Sequence, residues 1–250
     1  MHRFHLPPAA CGGSRLELEG PEAHHALQVL RIQPGECVQV LDGAGHRLRC
    51  RVESAGRRTV SLAVLEREEV AAPRFEITLM QALPKGKAAE TIVEKATELG
   101  VSRIVPLISE RVVVRLEADE AGLKAAKWRL VAIGAMKQCG LPWLPQIEAP
   151  VRLQEYLARP QRFELSLVAS LQPGARHPRE YLAAYQAEHG RRPASVGVWI
   201  GPEGDFTPEE VQAIETAGAR PITLGPNVLR ADTAAIYCLS ILNYELLSPA

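Results

Sequence analysis

From Phe75 to the C-terminus, short apolar runs alternate with longer segments of helical period, and this alternation restricts the fold more than any other feature. "FEITLMQAL", "VSRIVPLI", "FELSLVAS", "SVGVWIG" and "PITLG" are brief, apolar and bounded by turn formers, as buried strands are. Between and after them come "KAAETIVEKATELG", "EAGLKAAKWRLVAIGAMKQCG", "PREYLAAYQAEHG", the stretch from Pro208 to Ala217 and "ADTAAIYCLSILNYELL". In the first of these, Ala89, Ile92, Val93, Ala96 and Leu99 share one helical face, and Gly100 stops the helix. Strand and helix in turn predict an α/β fold with a mostly parallel sheet covered on both sides. Ligands in such folds bind outside the carboxyl ends of strands, which directs attention to the loops after Ile200 and Leu224.

The first 72 residues read differently. "CVQVLDGAGHRLRCRVESAGRRTVSLAVL" is a series of alternating runs broken at Asp42-Gly43 and Ala55-Gly56, a β pattern with turns. Arg47, Arg49 and Arg51 fall on one face of a strand and Leu48, Cys50 and Val52 on the other. With Arg57, Arg58 and His46 nearby, the stripe reads equally as a solvated face or as a grip on RNA phosphate. This region also holds Arg3, Arg31 and five of the seven histidines, and no lysine. "EREEVAAPRF", residues 66–75, marks a boundary, giving domains of 1–72 and 73–250.

Bulk properties exclude several classes. Lys+Arg and Asp+Glu both number 29, so a nucleic-acid partner must be met by a local patch. Five scattered cysteines without a C-x-x-C pair fit reduced thiols, with no disulfide framework and no metal cage. No run of about 18 apolar residues suggests a membrane span, and the expected location is the cytoplasm.

"WIGPEGDFTPEE" and "TLGPNVLRADTAA" share a plan: apolar strand, Gly-Pro, irregular loop, capped helix. Thr207-Pro208-Glu209-Glu210 has the form of a capping box, and Asp232 or Thr233 is placed to cap the last helix. Each loop alone reads as a good turn; two matched loops at late strand ends read as one binding site. A bound phosphate would want Lys or Arg, yet Glu203, Asp205, Glu209 and Glu210 crowd the first loop and only Arg230 stands in the second. Neither G-x-G-x-x-G after a strand nor G-x-x-x-x-G-K-[ST] occurs. The charge suits a ligand with hydroxyls or a positive centre, and S-adenosylmethionine is compatible with it.

At these residues the chain resembles a known family. "IGPEGDFTPEE" with "LGPNVLRADTAA" is similar to the paired signature of the RsmE family of 16S rRNA uridine-N3 methyltransferases, in the SPOUT class. "QALPKGKAAETIVEKATELGVSRIVPLISER" resembles that family's central block, "KWRLVAIGAMKQCG" its following helix, and "HRFHL" and "HHALQVLRIQPGECVQVLDG" its N-terminal module. The resemblance implies a PUA-like RNA-binding β-barrel followed by a SPOUT α/β domain whose segment from about 195 to 250 forms a trefoil knot. It also implies a homodimer, with "AIYCLSILNYELL" partly covered by the partner. Implied cofactor positions are Ile200, Gly201, Pro202, Glu203, Gly204, Leu224, Gly225, Pro226, Val228, Leu229, Arg230 and Thr233, with Leu171 beside Ser170 as a looser match. The sequence departs from the pattern at Asp205, where a second glycine is common, at Asn227 and Leu141, where arginine is, and at Asp232, where glutamate is.

The implied activity is S-adenosylmethionine-dependent methylation of N3 of one uridine of 16S rRNA in the small ribosomal subunit, position 1498 in that family. Arg230 is the candidate for stabilising the uracil anion, and its alternative role is an ion pair with Asp232 or Glu203. Candidate RNA contacts are Arg3, Arg31, Arg47, Arg49, Arg51, Lys85 and Lys87. Other readings are a SPOUT methyltransferase on another RNA such as tRNA, a non-catalytic RNA-binding ribosome-assembly factor, and an enzyme acting on a free nucleotide or sugar.

Overall fold

The computed structural model describes residues 1–112, 118–160 and 163–247, and the chain divides into two compact units. One contains residues 1–72 and 133–144, the other residues 73–132 and 145–250.

The first unit is built on a five-stranded sheet of β1 (Arg3–His5), β2 (Arg15–Leu18), β3 (Cys37–Leu41), β4 (His46–Ala55) and β5 (Val60–Glu69), in the order β1-β3-β4-β5-β2. All neighbours are antiparallel except β1 and β3. The period-two reading of β4 holds: Leu48, Cys50 and Val52 are buried with Phe4, Leu18, Val38 and Leu62, while Arg49 and Arg51 face outward. α1 (Gly20–His24) runs into a π-helix (His25–Leu30) that ends at Arg31, whose backbone is left-handed with φ 55°.

The sequence suggested that residues 133–144 belong with the second part, since they continue a long helix. Their side of that helix, α3 (Ala118–Cys139), instead joins the first unit. Arg3 explains part of this. Its Nη1 donates to the carbonyls of Lys137 and Gln138 at 3.0 and 2.8 Å, and its Nε to Gln39 at 3.2 Å. The last carbonyls of a helix carry partial negative charge and lack intrahelical partners, so a guanidinium there acts as a C-terminal cap. Lys137 pairs with Glu22 at 2.6 Å, the Gly45 N–H donates to the Pro142 carbonyl at 3.0 Å, and the Leu144 N–H donates to the Gly43 carbonyl at 3.0 Å.

The second unit is a seven-stranded parallel sheet. Its strands are β6 (Glu76–Ala82), β7 (Arg103–Ile108), β8 (Gln146–Ile147), β9 (Val151–Arg152), β10 (Leu165–Ala169), β11 (Ser195–Ile200) and β12 (Arg220–Ile222). The order is β12-β10-β11-β6-β7-β8, with β9 also on β7. The alternation in the sequence is thereby realised as a mixed α/β fold. β8, β9 and α4 (Leu153–Leu157) went unforeseen because two-residue strands and a five-residue helix are too short to show a period. The other helices are α2 (Ala88–Glu98), α5 (Pro178–His189), α6 (Pro208–Thr216) and α7 (Ala231–Leu247). Met80, Val105, Val168, Trp199 and Ile214 form the core between sheet and helices. β11 lies between β10 and β6, so the chain must pass β10 to reach β12 at the edge. α7 then returns from that edge to pack on α2, where Asn243 Nδ2 donates to the Leu99 carbonyl at 2.8 Å. Among the described residues no helix is long and apolar enough to cross a membrane.

Glu164, just before β10, gathers the far ends of α5 and β11. It accepts from Arg191 at 2.7 and 2.8 Å, from the Ala194 backbone at 2.6 Å and from the Tyr185 hydroxyl at 2.9 Å. These donors, Arg191 first, lower its carboxyl from the ordinary 4.5 to about 2. A carboxylate depressed in the folded state contributes stability that is present above 4.5 and lost as pH falls toward 2. Glu164→Gln is therefore expected to lower the melting temperature at neutral pH and to shrink the difference from wild type on acidification toward pH 2, read by thermal unfolding across pH.

Candidate functional site

β12, β10 and β11 are hydrogen-bonded parallel neighbours, so their carboxyl ends emerge on one edge of the sheet. The three loops that follow them enclose a cavity of about 460 Å³. The loop after β10 supplies Ser170 to Ala175, that after β11 supplies Gly201, Pro202, Glu203 and Asp205, and that after β12 supplies Thr223 to Leu229. The two Gly-Pro loops thus meet in one place.

Local chemistry fixes each wall. At Gly201 a Cβ would stand 2.7 Å from Asp205 Oδ1 and 3.1 Å from the Phe206 nitrogen, so the tight turn favours glycine and any side chain would force the loop to shift. Asp205 donates its N–H to the Pro202 carbonyl at 2.9 Å and accepts from Phe206 N–H at 2.8 Å, with a left-handed φ of 58°. Arg111 holds the outside of this loop by donating to the Gly204 carbonyl at 2.7 Å. Glu203 anchors it from the other side by accepting the Lys85 N–H at 2.8 Å. The capping box forms as read: Glu210 N–H to Thr207 Oγ1 at 3.2 Å and Thr207 N–H to Glu210 at 3.0 Å. Buried Glu210 also accepts the Glu110 N–H at 2.8 Å and so ties α6 to the loop after β7.

The wall after β12 is more open. Gly225 has φ 112°, nothing lies within 4 Å of where its Cβ would be, and its N–H bonds to Thr223 Oγ1 at 3.2 Å. Val228 and Leu171 are 78% and 60% exposed, leaving apolar side chains at the cavity. Burial pushes the Asp205 carboxyl above its ordinary value, opposed by the Phe206 N–H, by Arg111 and by the Leu171 N–H.

Of the expected cofactor positions, Leu171, Ile200, Gly201, Pro202, Glu203, Leu224, Gly225, Pro226, Val228 and Leu229 line the cavity. Gly204, Arg230 and Thr233 do not. Gly204 is turned to Arg111, and Arg230 and Thr233 are exposed at the start of α7. The expected ion pair of Arg230 with Asp232 or Glu203 is absent among the described residues, since Glu203 serves the Lys85 amide and Asp232 accepts its neighbour's N–H, Thr233, at 2.8 Å. That same bond replaces the expected cap: α7 begins at Ala231, with Asp232 already inside its first turn. The segment "QPG", residues 172–174, and Asp205 also line the cavity and were not among the expected positions. Gln-Pro-Gly after a strand is a turn signal of the same kind as Gly-Pro and could have been counted as a third loop.

The expected RNA contacts are distributed unevenly. In the first unit Arg3 is occupied as a helix cap, and Arg47 and Arg49 pair with Glu68 and Glu66 on β5 at 3.6 and 3.0 Å. Arg31 and Arg51 are exposed and carry no ion pair among the described residues. In the second unit Lys85 and Lys87 are exposed before α2.

Comparison with known proteins agrees with this geometry. Residues 71–243 match a family described as an RNA methyltransferase domain, and residues 18–65 match an RNA methyltransferase PUA domain. Ribosomal RNA small subunit methyltransferase E of Mycobacterium bovis is 34% identical over 94% of this chain and 88% of its own length. This chain belongs to the ribosomal RNA small subunit methyltransferase E family. The Aquifex aeolicus member is 34% identical, covering 97% of this chain and 99% of its own. Among solved structures, a Legionella pneumophila protein in complex with the bound cofactor SAM superimposes with a TM-score of 0.86 at 32% identity, covering 96% of each chain. The Neisseria gonorrhoeae family member bound to S-adenosyl methionine gives 0.83 at 27% identity over 97% of this chain and 96% of its own.

Gly201→Ala is expected to destabilise the fold by about 1–3 kcal/mol, because the methyl group meets backbone as well as a side chain. Gly225→Ala meets no atom and carries only the left-handed backbone penalty of about 1–2 kcal/mol. Chemical denaturation of both variants checks the pair, and the larger loss is expected for Gly201→Ala.

Proposed function

We propose that this protein transfers a methyl group from S-adenosylmethionine to N3 of one uridine in the 16S rRNA of the small ribosomal subunit, and that the three-loop cavity is where the cofactor binds. One observation carries the reading: three adjacent parallel strand ends build a single pocket whose charged lining is acidic. Its volume lies within the range of about 300–1,000 Å³ usual for small-molecule sites. The residues fit the cofactor. Open backbone at Gly225 suits hydroxyl and adenine contacts, Leu171 and Val228 offer apolar walls, and the half-buried Asp205 carboxyl suits a positive centre.

Bound there, the cofactor supplies an electrophilic methyl group on a sulfonium. The chain's own contribution is placement and charge. The uracil N3 lone pair becomes available as its proton leaves, so the site must favour the anionic base. Arg230 directly follows the cavity-lining Leu229, is exposed, and has no described carboxylate partner, which supports its role as the cation that stabilises that anion. No histidine lines the cavity, and the proton passes to solvent.

The finer architecture belongs to the same proposal. We read residues 1–72 as a PUA-like barrel that grips RNA and residues 73–250 as a SPOUT domain. The passage of the chain from β11 past β10 to β12, followed by the return of α7 to α2, supports a knotted C-terminal segment despite the rarity of knots. α7 exposes Tyr237 and Leu247, 45% and 65% accessible, while burying Cys238, Leu239, Leu242 and Leu246. This second apolar face supports a homodimer.

Incubated with labelled S-adenosylmethionine, the purified protein is expected to place one methyl on uridine N3 of 16S rRNA in small subunits lacking it, detected by mass spectrometry of rRNA fragments. No incorporation into small-subunit rRNA, with labelling of tRNA instead, would refute the substrate. Within the RNA grip, Arg31→Gln is expected to weaken RNA binding and reduce the salt slope by roughly 0.7–0.9 for one lost phosphate contact. Arg49→Gln is expected to change both less, because Glu66 already neutralises that guanidinium.

A further inference from the structure

Two non-glycine residues among those described hold a left-handed backbone, Arg31 and Asp205. Asp205 is the one that faces the cavity. Its φ of 58° is imposed by the turn, since its own N–H closes onto the Pro202 carbonyl at 2.9 Å. Glycine would occupy this position with less strain. An aspartate held there raises the question of what its carboxyl does.

The carboxyl sits against Gly201, with Oδ1 accepting the Phe206 N–H, and the backbone N–H of Leu171, on the loop after β10, also favours its charged form. The charged groups around it are few. Arg111, from the segment after β7, attracts it but makes no ion pair with it, and donates instead to the Gly204 carbonyl at 2.7 Å and more distantly to that of Phe206. Glu203, on the same loop, is held by the Lys85 amide. Backbone N–H groups answer part of the charge, but a partly desolvated carboxyl at a cavity wall with no ion-pair partner among the described residues gains further from a positive ligand.

Resting on the proposed cofactor assignment, we propose that Asp205 is a charge selector that favours the cationic methyl donor over the neutral product of transfer. When the S–CH₃ bond breaks, its electron pair stays on sulfur and the new bond forms from the N3 lone pair to carbon. The sulfonium becomes an uncharged thioether, and the N3 proton goes to solvent. The ammonium and carboxylate of the amino-acid portion are the same before and after. Only the sulfur changes charge, so attraction to Asp205 exists for S-adenosylmethionine and vanishes for S-adenosylhomocysteine. Product leaves a site that no longer attracts its reacting atom, and fresh donor is drawn in.

The test is isothermal titration of the full chain with each nucleoside, in wild type, Asp205→Asn and Asp205→Gly. The asparagine keeps shape and removes charge; the glycine also relieves the backbone, so at least one variant is expected to fold well. The ratio of the dissociation constant for S-adenosylhomocysteine to that for S-adenosylmethionine is expected to fall roughly three- to ten-fold in both, the size of a screened charge–charge attraction across several ångströms. An unchanged ratio with binding intact overturns the selector and leaves the cofactor site standing. A parallel loss of affinity for both nucleosides also overturns it, assigning Asp205 to the ammonium or to loop shape. Failure of wild type to bind either one overturns the selector together with the cofactor assignment beneath it.

Discussion

The parallel hydrogen bonding of β10 between β12 and β11 is the interaction on which the site depends. It sets three strand ends beside one another at the spacing of a sheet, so three loops distant in sequence become walls of one cavity. The loops need only be stiff and correctly closed. Gly201 permits the tight turn, Arg111 and the Lys85 amide hold its outer side, and the Glu210 capping network fixes the helix that follows. These contacts come mainly from backbone groups, so the cavity can present main-chain atoms and a few chosen side chains to a ligand.

Charge divides the labour along the chain. The net charge is zero, and several of the basic residues in the first unit, Arg3, Arg47 and Arg49 among them, are already answered by acids across the sheet or by helix carbonyls. Any RNA grip there must rest on the few exposed cations, with Arg31 held in an unusual backbone state at the end of a π-helix. The cavity of the second unit carries acid where many nucleotide sites carry base, and it thereby disfavours phosphate. Family membership and this electrostatic preference agree.

Much of the second unit was legible in the sequence, because a period of two against a period of 3.6 is a strong signal over long elements. The Thr207–Glu210 box could be read from four letters, since its hydrogen bonds are local. What escaped was set by tertiary contact. The attachment of residues 133–144 to the first unit depends on Arg3 reaching carbonyls more than a hundred residues away. The neutralisation of Arg47 and Arg49 depends on the register that places Glu68 and Glu66 opposite them. In the sequence Asp205 reads as one more acid, because nothing in the letters gives its left-handed backbone or its partial burial. The place of the Gln-Pro-Gly loop in the site depends on β12 pairing with β10, a neighbour that sequence order does not reveal.

Hydrogen–deuterium exchange with and without S-adenosylmethionine tests the central claim most directly, since it reports on main-chain groups. The account expects slowed exchange in the amides of residues 170–175, 201–206 and 223–230 together, at one ligand concentration. Protection of one loop without the others, or protection confined to the separate cavity around Ser109 and Gln154, would contradict a single three-loop cofactor site.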